Sequence, residues 1–273
     1  MGLWYGAEPS GCAHVVPVNK AFVVTAGKPA ELGVLLFALA VGLGAAARPA
    51  WARIHASIVI DADSGQVLEE FHADKPCYPA SLTKLMTLYL TFSALRQGKL
   101  TLNKELRVSA RAAGQSPTKL CLKPGGFISV KSAILALVTK SANDAAVVLA
   151  EALAGTEPRF AGIMTHTAHH LGMSHTTFRN ASGLPNPRQR TTARDLARLA
   201  NALIHEFPEY YHFFSVRSFV FRGKTIHGHD HLLGRFRGAD GLKTGYIRAS
   251  GFNLVTSAVR DDNRLIGVVI GGR

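Results

Sequence analysis

Ser81 and Lys84 lie three residues apart in the stretch Pro79-Ala80-Ser81-Leu82-Thr83-Lys84-Leu85-Met86-Thr87-Leu88-Tyr89. A serine hydroxyl is a weak nucleophile at neutral pH and needs a base within hydrogen-bond reach. A lysine one helical turn away can be that base once burial or a second cation lowers its pKa. Apolar Leu82, Leu85, Met86 and Tyr89 recur at i, i+3, i+4 and i+7, which predicts an amphipathic helix entered at Pro79 and ending near Gly98. Ser81 then sits in its first turn, where the helix N-terminus favours developing negative charge. A Ser-x-x-Lys pair is too short to be specific alone, so the chemistry requires partners elsewhere.

Two further stretches supply them. Ser141-Ala142-Asn143-Asp144 interrupts two apolar helices, Val130 to Lys140 and Ala145 to Ala154. Such a polar cluster is costly unless it caps a helix or faces a cleft, and Asp144 as an N-cap is the simplest account. Lys243-Thr244-Gly245 falls in a candidate strand, Leu242 to Ile247, and offers a cation, a hydroxyl and a position without a side chain. As an edge strand it can pair with an extended peptide, and Gly245 lets that backbone come close. Lys243 can hold Lys84 neutral by like-charge repulsion, and Lys243 or Thr244 can bind a carboxylate.

The positioning elements follow from periodicity. Ala56 to Asp61 and Val67 to Phe71 read as strands joined by Asp63-Ser64-Gly65, and Leu106 to Gly126 reads as irregular. Helices are expected from Glu157 to Leu171, and again from the capping box Thr192-Ala193-Arg194-Asp195 up to Pro208. Phe178 to Pro185 is a turn-rich loop. Beyond Pro208 the period changes to strands: Ser218 to Phe221 and Thr225 to His227 around Gly223, then Asn253 to Val259 and Leu265 to Ile270 around Asp261-Asp262-Asn263. Strands at both ends with helices between predict an α+β architecture, an antiparallel sheet flanked by helices plus a helical cluster.

The chain has 273 residues, 47% of them hydrophobic, and a net charge of +13. Its basic residues are spread out, with no basic run interleaved with aromatics, so nucleic acid is not expected as a partner. Leu32 to Ala47 is an unbroken apolar run preceded by Lys20 and Lys28 and followed by Ala50-Trp51-Ala52. It reads as an export signal cut after Ala52, or as a retained signal anchor, dividing the chain into a leader (1–52) and a domain (53–273). The leader's charge of +1 leaves +12 on the exported domain. Location in the periplasm or cell envelope, with peripheral or signal-anchor membrane association, is the expectation. Cys77 and Cys121 either pair as a disulfide or remain thiols. His227/His229/His231, which would share one face of a strand, and His166/His169/His170 invite a metal, but no carboxylate or cysteine frame completes a site and none is expected.

Together, the three stretches resemble those of the serine D-alanyl-D-alanine carboxypeptidases, the low-molecular-mass penicillin-binding proteins. The resemblance runs from about Ala56 to Gly272 and extends to Ala181-Ser182-Gly183-Leu184-Pro185 and Asp240-Gly241-Leu242-Lys243-Thr244-Gly245-Tyr246. It implies a β-lactamase/transpeptidase-like fold, with no cofactor and no metal. Ser81 would attack the bond between two D-alanines of a peptidoglycan stem peptide and form an acyl-enzyme, and Lys84 would take its proton. Ser141 and Asn143 would relay protons and hold the substrate amide. Lys243 and Thr244 would bind the terminal carboxylate, alongside Gly245. The N–H groups of Ser81 and Tyr246 would form the oxyanion hole, and β-lactam inhibitors would acylate Ser81. Ile247 stands where the family commonly has Thr, and Gly228-His229-Asp230-His231 replaces a stretch that often carries Arg, for which Arg248 is a candidate substitute. The family usually adds a final helix on the sheet, which this domain is expected to lack. A class A-like β-lactamase would have Ser-Asp-Asn and a later Glu-x-x-Leu-Asn, whereas Ala142 replaces that Asp and no such motif follows. A non-catalytic cell-envelope-binding protein is the other alternative.

Overall fold

The computed structural model describes residues 56–272. The leader and its apolar run lie outside the described residues. Strands β1 (Ala56–Asp61) and β2 (Val67–Phe71) form the expected hairpin. Its turn is closed by Asp61, whose carboxylate accepts from Ser64 N at 2.8 Å and Ser64 Oγ at 2.6 Å.

A single 3₁₀ turn, Ala80–Leu82, leads into α1 (Thr83–Arg96), so Ser81 lies in the turn that precedes the α-helix. The amphipathic expectation for α1 is corrected: Thr83 to Tyr89 are all buried, as are Thr91, Phe92, Ala94 and Leu95. The helix is central, covered on nearly every side. Thr87 and Thr91 are compatible with burial because Thr87 Oγ1 donates to Ala181 O and Thr91 Oγ1 to Thr87 O, whereas Thr83 Oγ1 is buried without a partner among the described residues.

The stretch read as irregular contains short elements: β3 (Glu105–Arg107) pairs with β4 (Phe127–Ser129), and α2 (Ala110–Ala113) lies between them. Three-residue strands leave too little alternation to be seen by periodicity. Then come α3 (Val130–Val138), α4 (Asn143–Ala154) and α5 (Glu157–His170). In α6 (Ala193–Glu206), Thr192 caps Asp195 N at 3.1 Å as expected. The Asp195 carboxylate turns instead to His175 N and Thr176 Oγ1. After α7 (Pro208–Tyr211), β5 (Ser218–Phe221) and β6 (Lys224–His227) form the small hairpin.

Strands β7 (Ala239–Ile247), β8 (Gly251–Arg260) and β9 (Asn263–Gly272) complete an antiparallel five-stranded sheet in the order β2-β1-β9-β8-β7. Alternation sorts its faces: Ile58, Ile60, Val255, Ile266, Val268 and Ile270 are buried against the helices. Helix α6 packs on β1 and β9, and β7, at the sheet's edge, runs along the Ser81 turn. This is the α+β arrangement read from the sequence. No helix among the described residues is long and apolar enough to cross a membrane.

Cys77 is a free thiol, so it does not pair with Cys121. Burial pushes it up to about 12, and its Sγ lies 3.3 Å from Thr191 O.

Candidate active site

Lys84 is fully buried, with its Nζ 3.3 Å from Ser81 Oγ and 2.7 Å from Asn143 Oδ1. It also donates to the backbone oxygen of Ser182. Burial foremost, and next the charge of Lys243, hold its pKa well below the usual 10.5, while Asp144 opposes them. An amine fixed against a serine hydroxyl and inclined to be neutral is a base in position to take that proton. The like-charge influence of Lys243 expected from the sequence is thus present, second to desolvation.

Local backbone geometry sets this arrangement. Ala80 (φ 48°) and Ser141 (φ 58°) both adopt the left-handed conformation that L-residues rarely take. Beside Ala80, Gly183 leaves its side-chain space to the Ala80 carbonyl: a Cβ there would stand 1.8 Å from Ala80 O. The Ala181–Gly183 turn therefore supports both ends of the pair, backing the Ser81 turn and accepting from Lys84 and Thr87.

The Ser141 corner is held by the stretch read as irregular. Asn143 N donates to Thr118 O at 2.7 Å, Asn143 Nδ2 to Ser116 O at 2.9 Å, and Thr118 Oγ1 to Ser141 O at 3.0 Å. The N-cap account of Asp144 is corrected, since Ala142 occupies the cap. The buried Asp144 carboxylate accepts from Leu120 N (3.0 Å), Leu122 N (3.1 Å) and Ala145 N (2.9 Å), tying the loop to the start of α4. Ser141 Oγ is buried without a hydrogen-bond partner among the described residues. Such an atom is costly in a purely structural role and is suited to a bound group.

On β7, Lys243 is buried and its Nζ donates to Thr244 O at 2.8 Å. Burial lowers its pKa to about 8, and Asp230 works against that. Gly245 faces the Ser81 turn so closely that a Cβ would lie 3.1 Å from Ser81 N and 3.4 Å from Leu82 N. A recess beside the strand is lined by Val138, Phe214, Arg217, Asp230, Lys243 and Thr244.

The structure thus brings Ser81, Lys84, Asn143, Lys243 and Gly245 together, with Ser141 at the corner leading into Asn143. Thr244 lines the same recess as Lys243, and Tyr246 pairs in register with Phe252 on β8. The Tyr246 ring is exposed and packs on Phe252, with centroids 4.7 Å apart. Arg217, rather than the exposed Arg248, lines the recess by Lys243. His229 and His231 lie beyond the end of β6, so the three histidines do not share a strand face. Sequence reasoning gave no role to the Ser182 carbonyl, Asp144 as a loop anchor, Ser116, Thr118 or Asp230. Only Ala181-Ser182-Gly183 carried a signal, as part of the resemblance.

Such a constellation on an antiparallel sheet with a helical cluster has the β-lactamase/transpeptidase-like fold. The chain belongs to the D-alanyl-D-alanine carboxypeptidase family, whose description matches residues 45–273. It is 39% identical over 223 residues to D-alanyl-D-alanine carboxypeptidase DacC of Escherichia coli, covering 79% of this chain and 56% of that protein. Identity to DacA of the same organism is 35%, over 79% of this chain and 55% of the relative. Among solved structures, Escherichia coli penicillin binding protein 6B matches at a TM-score of 0.76 and 35% identity, covering 82% of this chain and 73% of that one. The ampicillin-bound penicillin-binding protein D2 of Listeria monocytogenes matches at a TM-score of 0.69 and 33% identity, covering 80% of this chain and 89% of that one. The chain spans about half the length of the curated relatives it matches. These likenesses do not favour the β-lactamase or non-catalytic alternatives.

Proposed function

We propose that this chain is a serine carboxypeptidase that removes the terminal D-alanine from peptidoglycan stem pentapeptides and is acylated by β-lactams. The observation that carries the reading is the fully buried Lys84 amine, its pKa depressed, 3.3 Å from Ser81 Oγ. Ser81 Oγ attacks the carbonyl carbon of the penultimate D-alanine while its proton passes to Lys84 Nζ. The N–H groups of Ser81 and Tyr246 stabilise the oxyanion, and the Lys84 ammonium, through Ser141, protonates the departing D-alanine amine. Water then attacks the ester with Lys84 as base, releasing the shortened peptide and restoring the serine. Asn143 holds the substrate amide. Lys243 and Thr244 bind the terminal carboxylate, and Gly245 leaves room for the peptide backbone along β7.

Residues 53–273 form the catalytic domain in this reading, and the enzyme acts outside the cytoplasm, in the periplasm or cell envelope. The apolar run Leu32 to Ala47 supports export, either as a cleaved signal or as a membrane anchor. The test is release of D-alanine from a pentapeptide ending in D-Ala-D-Ala. The wild-type chain should release it and Ser81→Ala should not, and equal release by the two would overturn the assignment.

A further inference from the structure

The histidines of α5 are divided by the structure in a way the sequence does not show. His169 turns to the backbone, its Nε2 3.1 Å from Thr176 O. His166 and His170, one helical turn apart and both exposed, face each other with Nε2 atoms 2.9 Å apart. Their rings are nearly perpendicular, at 84°, with centroids 4.3 Å apart. We propose that His166 and His170 form a two-imidazole chelate for a divalent copper ion, separate from the Ser81 site.

The donor type decides the class of metal. Two imidazole nitrogens about 2.0–2.1 Å from one ion lie about 2.9 Å apart when they meet it at a right angle, and about 3.4 Å apart at a tetrahedral angle. The 2.9 Å spacing here is that of the hydrogen bond between the two rings, within easy side-chain reach of either, so the metal follows from the donors: imidazole suits Cu(II), Ni(II) and Zn(II), and of these Cu(II) binds it most tightly. In the ion-free pair, one ring's N–H donates to the other's nitrogen. When the ion binds, the donating ring becomes the Nδ1–H tautomer by proton exchange with solvent, both Nε2 lone pairs turn to the ion, and water fills its remaining positions. Helix geometry holds both ligands on one face, so the second Cu–N bond forms at high effective concentration.

The full-length chain titrated with Cu(II) near neutral pH, in a buffer that does not bind copper, tests this by electron paramagnetic resonance. The expected result is one tight ion per chain with nitrogen coupling from two imidazoles. His166→Ala and His170→Ala should each remove one imidazole from that signal and weaken binding about tenfold or more. His169→Ala, and the joint replacement of His227, His229 and His231 by Ala, should leave it unchanged. Copper binding that survives His166→Ala and His170→Ala, or that is lost in the His227/His229/His231 variant, would overturn the proposal. So would the absence of two-imidazole coupling in wild type. Circular dichroism of each variant confirms that a lost signal is not lost folding.

Discussion

Lys243 is a buried cation whose pKa is brought down from the usual 10.5 to about 8, mainly by burial. At about 1.36 kcal/mol per pH unit, that displacement costs the ammonium about 3 kcal/mol relative to water. If this charge binds the substrate carboxylate, kcat/KM for D-Ala-D-Ala peptides must fall as pH rises through about 8 in the free enzyme. The acid limb runs the other way, activity rising with pH as Lys84 loses its proton. Lys243→Arg separates charge from proton loss, because a guanidinium stays protonated throughout this range. The bulkier side chain in a 2% exposed position should lower activity at every pH. The descending limb near pH 8 should nevertheless vanish. The assay is D-alanine release at low substrate concentration across pH 6 to 10, on wild type and variant. A wild-type profile flat to pH 10, or a limb near 8 retained by Lys243→Arg, would refute the role given to this charge. The same titration has a sign in stability. Unfolded Lys243 holds its proton to higher pH, so this residue's contribution to stability rises between about 8 and 10.5 and is absent in the Lys243→Met variant.

Asp230→Asn removes the negative charge that holds the Lys243 pKa up, so the descending limb should move below pH 8 in the same assay. Gly245→Ala would set a Cβ 3.1 Å from Ser81 N. With backbone on both sides, β7 must shift, and D-alanine release should drop about tenfold or more while the melting temperature changes little. Asp144→Ala leaves Leu120 N, Leu122 N and Ala145 N without their carboxylate acceptor. Denaturant unfolding should show a loss of about 3 kcal/mol or more.

The sequence disclosed the sheet well, because long strands such as β8 and β9 alternate and their Asp261-Asp262-Asn263 turn is explicit. It disclosed the Ser81–Lys84 pair through helical spacing, since three residues along a helical turn bring two side chains to one face. It misjudged α1 as amphipathic, because Thr87 and Thr91, which look polar, are buried on backbone acceptors. The pair's setting was hidden for a similar reason. The Ser182 carbonyl, and the backbone groups of Ser116 and Thr118, act through atoms that every residue type carries. Asp144 resembled a cap because a capping carboxylate and a loop-tying one have the same sequence signature. The left-handed conformations of Ala80 and Ser141 had no signal either, since both follow from tertiary contacts rather than residue type.

The central claim is that Ser81 is the acylated nucleophile, activated by Lys84. Intact-mass measurement after incubation with benzylpenicillin, followed by peptide mapping, tests it most directly. One covalent adduct per chain is expected, mapped to Ser81 and absent from Ser81→Ala. Lys84→Met should form it far more slowly, by about a hundredfold or more. A folded chain that takes up no penicillin, or an adduct that persists in Ser81→Ala, would contradict the account.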